Sequence, residues 1–113
     1  MSTIINTSAA PGQRVRELFQ RSVAQIRAAH FIEAMSCLDE LLELDGHHAD
    51  ALACRGWIHA LHGNSVAARV DLQSALCHAP VGWPRRAEVV AQLAIEAEAL
   101  AARDFVNEPT IAA

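Results

Sequence analysis

The chain has 113 residues, a net charge of −4 at pH 7 and 52% hydrophobic residues, about the size of one small domain or a short repeat array. It has no lysine, and its arginines form no basic stripe, which counts against nucleic-acid binding. No apolar run approaches the roughly 20 residues of a membrane span, and the segment Met1-Ser2-Thr3-Ile4-Ile5 has neither the positive charge nor the apolar core of a secretory signal, so the expectation is a cytoplasmic protein without membrane association.

Residues 1–12 end in Ala-Ala-Pro-Gly and lack periodicity, which predicts a mobile tail. Val15, Leu18, Phe19, Ser22, Val23 and Ile26 then recur at three and four residues, predicting a helix from about Gln13 to Ala28. A second helix is expected from Ile32 to Leu44, with Asp39, Glu40, Glu43 and Asp45 on an acidic outer face. Gly46 is expected to stop it in a left-handed conformation. His47-His48 forms the link to a third helix that carries Leu52, Trp57, Ile58 and Leu61.

Gly63-Asn64-Ser65 reads as a turn in which Asn64 or Ser65 caps the next helix, Val66 to Cys77. Pro80, Gly82 and Pro84 then break the chain. A last helix is predicted from Pro84, a favourable first-turn residue, to about Asp104, with a tail over 106–113. No stretch alternates as a strand does. The fold class is all-α, a domain over about 13–105.

The pattern repeats at an offset of thirty-four residues. Leu18 falls on Leu52, Arg21 on Arg55, Ser22 on Gly56, Ala34 on Ala68 and Leu38 on Leu72. Small residues occupy the positions of close approach and large ones the seam, which defines two units, about 15–48 and 49–82. This pattern resembles the tetratricopeptide (TPR) family, whose unit is a helix–turn–helix of that length. The second unit has the small residue at the crossing, the turn Gly63, Ala68 and the closing Pro80. It departs at Leu52, where an aromatic is usual, and at His59, where a tyrosine is usual. The first unit has Gln25 at that position and Ala29 in place of the turn glycine. The resemblance implies a TPR-like α-α superhelix of two repeats, with a long C-terminal helix, about 84–104, capping the open apolar end.

In that family the first helix of each unit lines a concave surface. Carried over, the first unit presents Arg16, Phe19, Val23, Ile26 and Arg27 and the second Asp50, Ala53, Trp57, Ala60 and Leu61, with Ala87, Ala91 and Ala94 from the cap; the groove residues among them are Phe19, Val23, Ile26, Ala53, Trp57, Ala60, Leu61 and Ala91. A surface so apolar suits the apolar face of an amphipathic helix, with Trp57 as anchor. The alternatives are that the same residues are core, or that they join two copies of the chain. Size and groove character also resemble the TPR-like needle-subunit chaperones of bacterial type III secretion, which implies a non-enzymatic chaperone or adaptor with a helical partner, and a co-chaperone or a second copy alongside it.

Six histidines invite a metal reading, and a metal-dependent enzyme is the remote alternative. His59-x-x-His62 shares a helix face, but neither has a neighbouring carboxylate in sequence, and no HExxH occurs. His59 is expected to pack between helices and His62 to face solvent. Cys77-His78 are adjacent on a helix and point about 100° apart, which does not make a nucleophile and base. Cys37, Cys54 and Cys77 are widely spaced and odd in number, so they read as small apolar residues in a reducing compartment. The reading therefore assigns no catalytic residue, no metal and no cofactor.

Overall fold

The computed structural model describes residues 10–107, with side chains to Arg103. Within that range lie five helices and no strand: α1 Pro11–Arg27, α2 Phe31–Leu44, α3 Ala49–Leu61, α4 Ser65–His78 and α5 Arg86–Asn107. None of them is long and apolar enough to cross a membrane. The expected tails lie largely outside the described residues.

Each helix packs on the next in chain order. The offset seen in the sequence is also an offset in structure. α1 ends at Arg27 and α3 at Leu61; α2 starts at Phe31 and α4 at Ser65; α2 ends at Leu44 and α4 at His78. The paired positions Leu18 and Leu52, Ser22 and Gly56, Ala34 and Ala68, and Leu38 and Leu72 are all buried.

Close approach explains the small residues. A Cβ on Gly56 would lie 2.9 Å from Cγ and Cδ2 of Leu72 and 3.3 Å from the Ala68 carbonyl oxygen. Contacts that short displace a neighbour, so glycine is what lets α3 and α4 meet. Ser22 fills the matching place in α1. Its hydroxyl is buried and donates to the Phe19 carbonyl one turn back, at 2.8 Å, which satisfies it within its own helix.

Two apolar clusters make up the core. The first joins α1, α2 and α3 through Leu18, Leu38, Leu41 and Ile58. The second joins α3, α4 and α5 through Leu52, Leu72, Trp83 and Val89. Helix α3 contributes to both, so it is covered on two sides. Polar ties reinforce the seams. Arg55 on α3 donates to both carboxylate oxygens of Asp71 on α4, at 2.8 and 2.9 Å, and to Asp39 on α2 at 2.9 Å. The hydrogen bonds it donates to Asp71 hold the Arg55 guanidinium above its ordinary range, with Asp39 adding to the effect and burial opposing it. Glu96 of α5 is buried and accepts from the Ser65 hydroxyl at 2.6 Å and from Gln92 at 2.7 Å.

Several boundaries differ from the expectations. α1 starts at Pro11, whose fixed φ and missing N–H suit the first helical position. α5 starts at Arg86 instead of Pro84, because residues 80–83 close a turn (Trp83 N–H to the Pro80 carbonyl, 3.1 Å) that sends Trp83 into the core. Gly46 does not take the left-handed conformation. Asp45 ends α2 at φ −144° and ψ 88°, and its Oδ1 accepts the His47 N–H at 3.1 Å, so a side-chain turn does the work expected of the glycine. Asn64 caps α4 through the Ala67 N–H, as expected, and the His48 ring caps α3, its Nδ1 accepting the Ala51 N–H at 3.0 Å.

Candidate docking cleft

Helical spacing builds one wall of a cleft from α1 and the other from α3. Val23, Ile26 and Arg27 stand at steps of three and four on α1. Cys54, Trp57, Ile58 and Leu61 stand at three, four and seven on α3. Phe31, the first residue of α2, closes one side, and Arg85 reaches in from the segment before α5. The cleft has a volume of about 270 Å³. Beyond Trp57 and Leu61 lies a second depression of about 170 Å³, shared with Ala60, Gln92 and Glu96. The two hollows therefore flank a ridge made by Trp57 and Leu61. Leu61 is 66% exposed, a large apolar side chain left in water at the mouth of both.

The charged lining is positive, and one of its two arginines is paired with a carboxylate behind it. Arg27 and Arg85 are the charged residues lining the larger cleft. The Arg85 guanidinium carbon sits 6.0 Å from the centre of the Trp57 ring, within range of a cation–π contact. Its Nε donates to Asp50 at 2.9 Å, and the same Asp50 oxygen accepts from the Trp83 indole. Asp50 thus ties the segment before α5 to the start of α3 and sets both Trp83 and Arg85. The Cys54 thiol at the cleft floor is pushed up to about 11, chiefly by burial, against a smaller opposing pull from Arg85. It is a weak nucleophile at neutral pH.

Of the residues predicted to face a groove, the structure brings Val23, Ile26, Trp57 and Leu61 together in the larger cleft, and Ala60 with Trp57 and Leu61 in the smaller. Three predicted residues fall elsewhere. Ala53 is fully buried in the second core cluster, because α3 is covered on that side by α4 and Trp83. Phe19 packs half-buried against the first cluster, with its ring 5.2 Å from that of His48. Ala91 is exposed on α5, where Gln92 and Glu96 line the depression instead. Phe31, Cys54, Ile58 and Arg85 were not expected at the cleft. The step from Leu61 back to Cys54 is seven residues, a spacing that carries that signal; Arg85 has none, since it arrives through a turn.

The histidines are dispersed. His59 lies 3.7 Å from Asp71 across the α3–α4 seam, and His62 is exposed with its ring edge-on to Phe31. His47 and His78 stack at 4.0 Å. No group of three or more His, Cys, Asp or Glu among the described residues is placed to hold a metal ion. No protein-family model, curated protein or solved structure matches the chain.

Proposed function

We propose that this chain is a TPR-like, non-enzymatic interaction module that takes the apolar face of a partner's amphipathic helix into the cleft between α1 and α3, acting in the cytoplasm as a chaperone or adaptor. One observation carries the reading: an apolar cleft walled by two helices, with the half-buried Trp57 and the exposed Leu61 on its ridge. A helix presents apolar residues at three- and four-residue steps, and two helical walls offer the matching furrow. The thirty-four-residue recurrence of helix boundaries supports the TPR-like part of the proposal. The needle-subunit chaperones of type III secretion are the kind of protein this reading resembles. A subunit that polymerises through apolar helices has to be capped until export, and a cleft of this character suits that task.

The test uses Trp57→Ala, which trims a half-buried ring at the edge of the second cluster, with Leu61→Asp at an exposed position. The native chain is expected to co-purify with a helical partner and the variant to lose it, while helical circular dichroism is retained. Equal recovery with both chains would remove the cleft from the account.

A self-associating scaffold is the second reading. It is favoured by apolar side chains left in water on α5, where Val90 and Ile95 are each about half exposed. Light scattering at high concentration separates the two, since a clean monomer excludes the scaffold.

A further inference from the structure

The charge at the cleft runs against the charge of the chain. The protein carries −4, yet the charged side chains lining its apolar cleft are two arginines, Arg27 and Arg85, and no carboxylate lines it. Of the exposed acids of α2, Asp39 and Glu43 line a separate hollow and Glu40 pairs with Arg14. Arg27 is exposed and, among the described residues, makes no ion pair and no side-chain hydrogen bond. As the last residue of α1 it also favours its own helix end, but that role leaves the guanidinium available to a ligand. Arg85 spends its Nε on Asp50, and among the described residues its two terminal nitrogens are unengaged. The one carboxylate in the neighbouring depression, Glu96, is buried, with an oxygen held by Ser65 and the other by Gln92, so it is not presented to a ligand.

An apolar furrow with arginine at its edges selects among amphipathic helices by their flanks. A helix bearing Asp or Glu beside its apolar stripe would gain charge-assisted contacts with Arg27 and Arg85. One bearing Lys or Arg there would meet like charge as the furrow is desolvated. Resting on the helix-docking reading above, we propose that the occupant of this cleft is a helix of another protein whose apolar stripe is flanked by carboxylates.

Two synthetic helical peptides test this. They share one leucine stripe at three- and four-residue spacing, have blocked ends, and differ only in carrying Glu or Lys along the flanks. With the full chain at low salt, the Glu peptide is expected to bind about tenfold tighter, the scale of two partly exposed ion pairs. The gap should narrow as salt rises. Arg27→Glu, at an exposed position, should abolish or reverse the preference without changing the circular dichroism. Equal affinity for both peptides, or a preference untouched by Arg27→Glu, overturns the proposed flank chemistry while leaving helix docking in place. Binding of neither peptide overturns helix docking and this inference together. A dimer of the chain alone that Arg27→Glu dissociates would assign the cleft to a second copy and also overturn it.

Discussion

Ala29 and Gly63 stand at matching places in the two helical hairpins, and both take the left-handed backbone, at φ 62° and φ 78°. The turn geometry is therefore repeated even though the residue type is not. Gly63 adopts it without steric cost, whereas Ala29 places a Cβ against the following carbonyl.

Ala29→Gly should stabilise the protein by about 1 kcal/mol, since relief of the left-handed penalty outweighs the entropy glycine adds to the unfolded chain. Gly63→Ala should destabilise it by a similar amount. No atom lies within 4 Å of a Cβ built on Gly63, so that cost is conformational and not steric. Urea midpoints at unchanged slope check both. Shifts of the same sign for the two variants would mean that the turns are not equivalent.

Gly56→Ala tests the α3–α4 crossing. The added methyl meets Leu72 at 2.9 Å, and the Ala68 carbonyl prevents an easy retreat. A loss of about 1–3 kcal/mol is expected. Adding Leu72→Ala should cost less in this background than in the native chain, because the cavity accepts the methyl. Strict additivity in the four-protein cycle would show that the two sites do not touch.

Arg55 ties α3 to Asp71 within its own hairpin and reaches Asp39 in the other. Arg55→Ala leaves Asp71, whose side chain is 6% exposed, without its bidentate partner, and should cost about 2–3 kcal/mol. Asp39→Ala removes only the contact with a largely exposed carboxylate and should cost under about 1 kcal/mol. Comparable losses from the two would place the energetics on Asp39 and not on Asp71.

How much of this was legible in the sequence follows from where each signal is local. The hairpin boundaries rest on turn residues and on apolar spacing within one helix, so they can be read directly. The left-handed turn at Ala29 is visible only through its offset from Gly63. Helix α3 is where periodicity fails. Ala49, Ala51, Leu52, Ala53, Cys54, Gly56 and Ile58 are all buried, so no single apolar face marks which residues reach the cleft. Ala53 was therefore expected at the surface it does not reach, and Cys54 was not. Arg85 is placed by the turn ending at Trp83 and by Asp50, a tertiary contact with no local signature.

The Cys54 thiol gives a pH prediction. Its proton is held until about pH 11, while the unfolded thiol ionises near 9. Above pH 9 the unfolded state binds fewer protons than the folded one, so stability falls as pH rises from about 9 to 11, by up to about 3 kcal/mol. This contribution is fully present below pH 9. Arg55 does not add to the decline, because its titration is displaced upward and lies beyond this window. Cys54→Ala should flatten the alkaline slope. At pH 8 a thiol reagent should modify the exposed Cys77 well before Cys54. An alkaline slope unchanged in Cys54→Ala would contradict the assignment.

Docking of a helix on the Trp57–Leu61 ridge is tested most directly by the two indole N–H resonances of the 15N-labelled chain. Trp57 lines the cleft, while Trp83 is buried and donates its indole N–H to Asp50 at 2.9 Å. On titration with the Glu-flanked leucine-stripe peptide, the Trp57 resonance should move and saturate, with a smaller shift at Trp83, whose Asp50 acceptor also holds Arg85, and Leu61→Asp should abolish the movement. A Trp57 resonance that does not move, or a response unchanged in Leu61→Asp, would contradict the account.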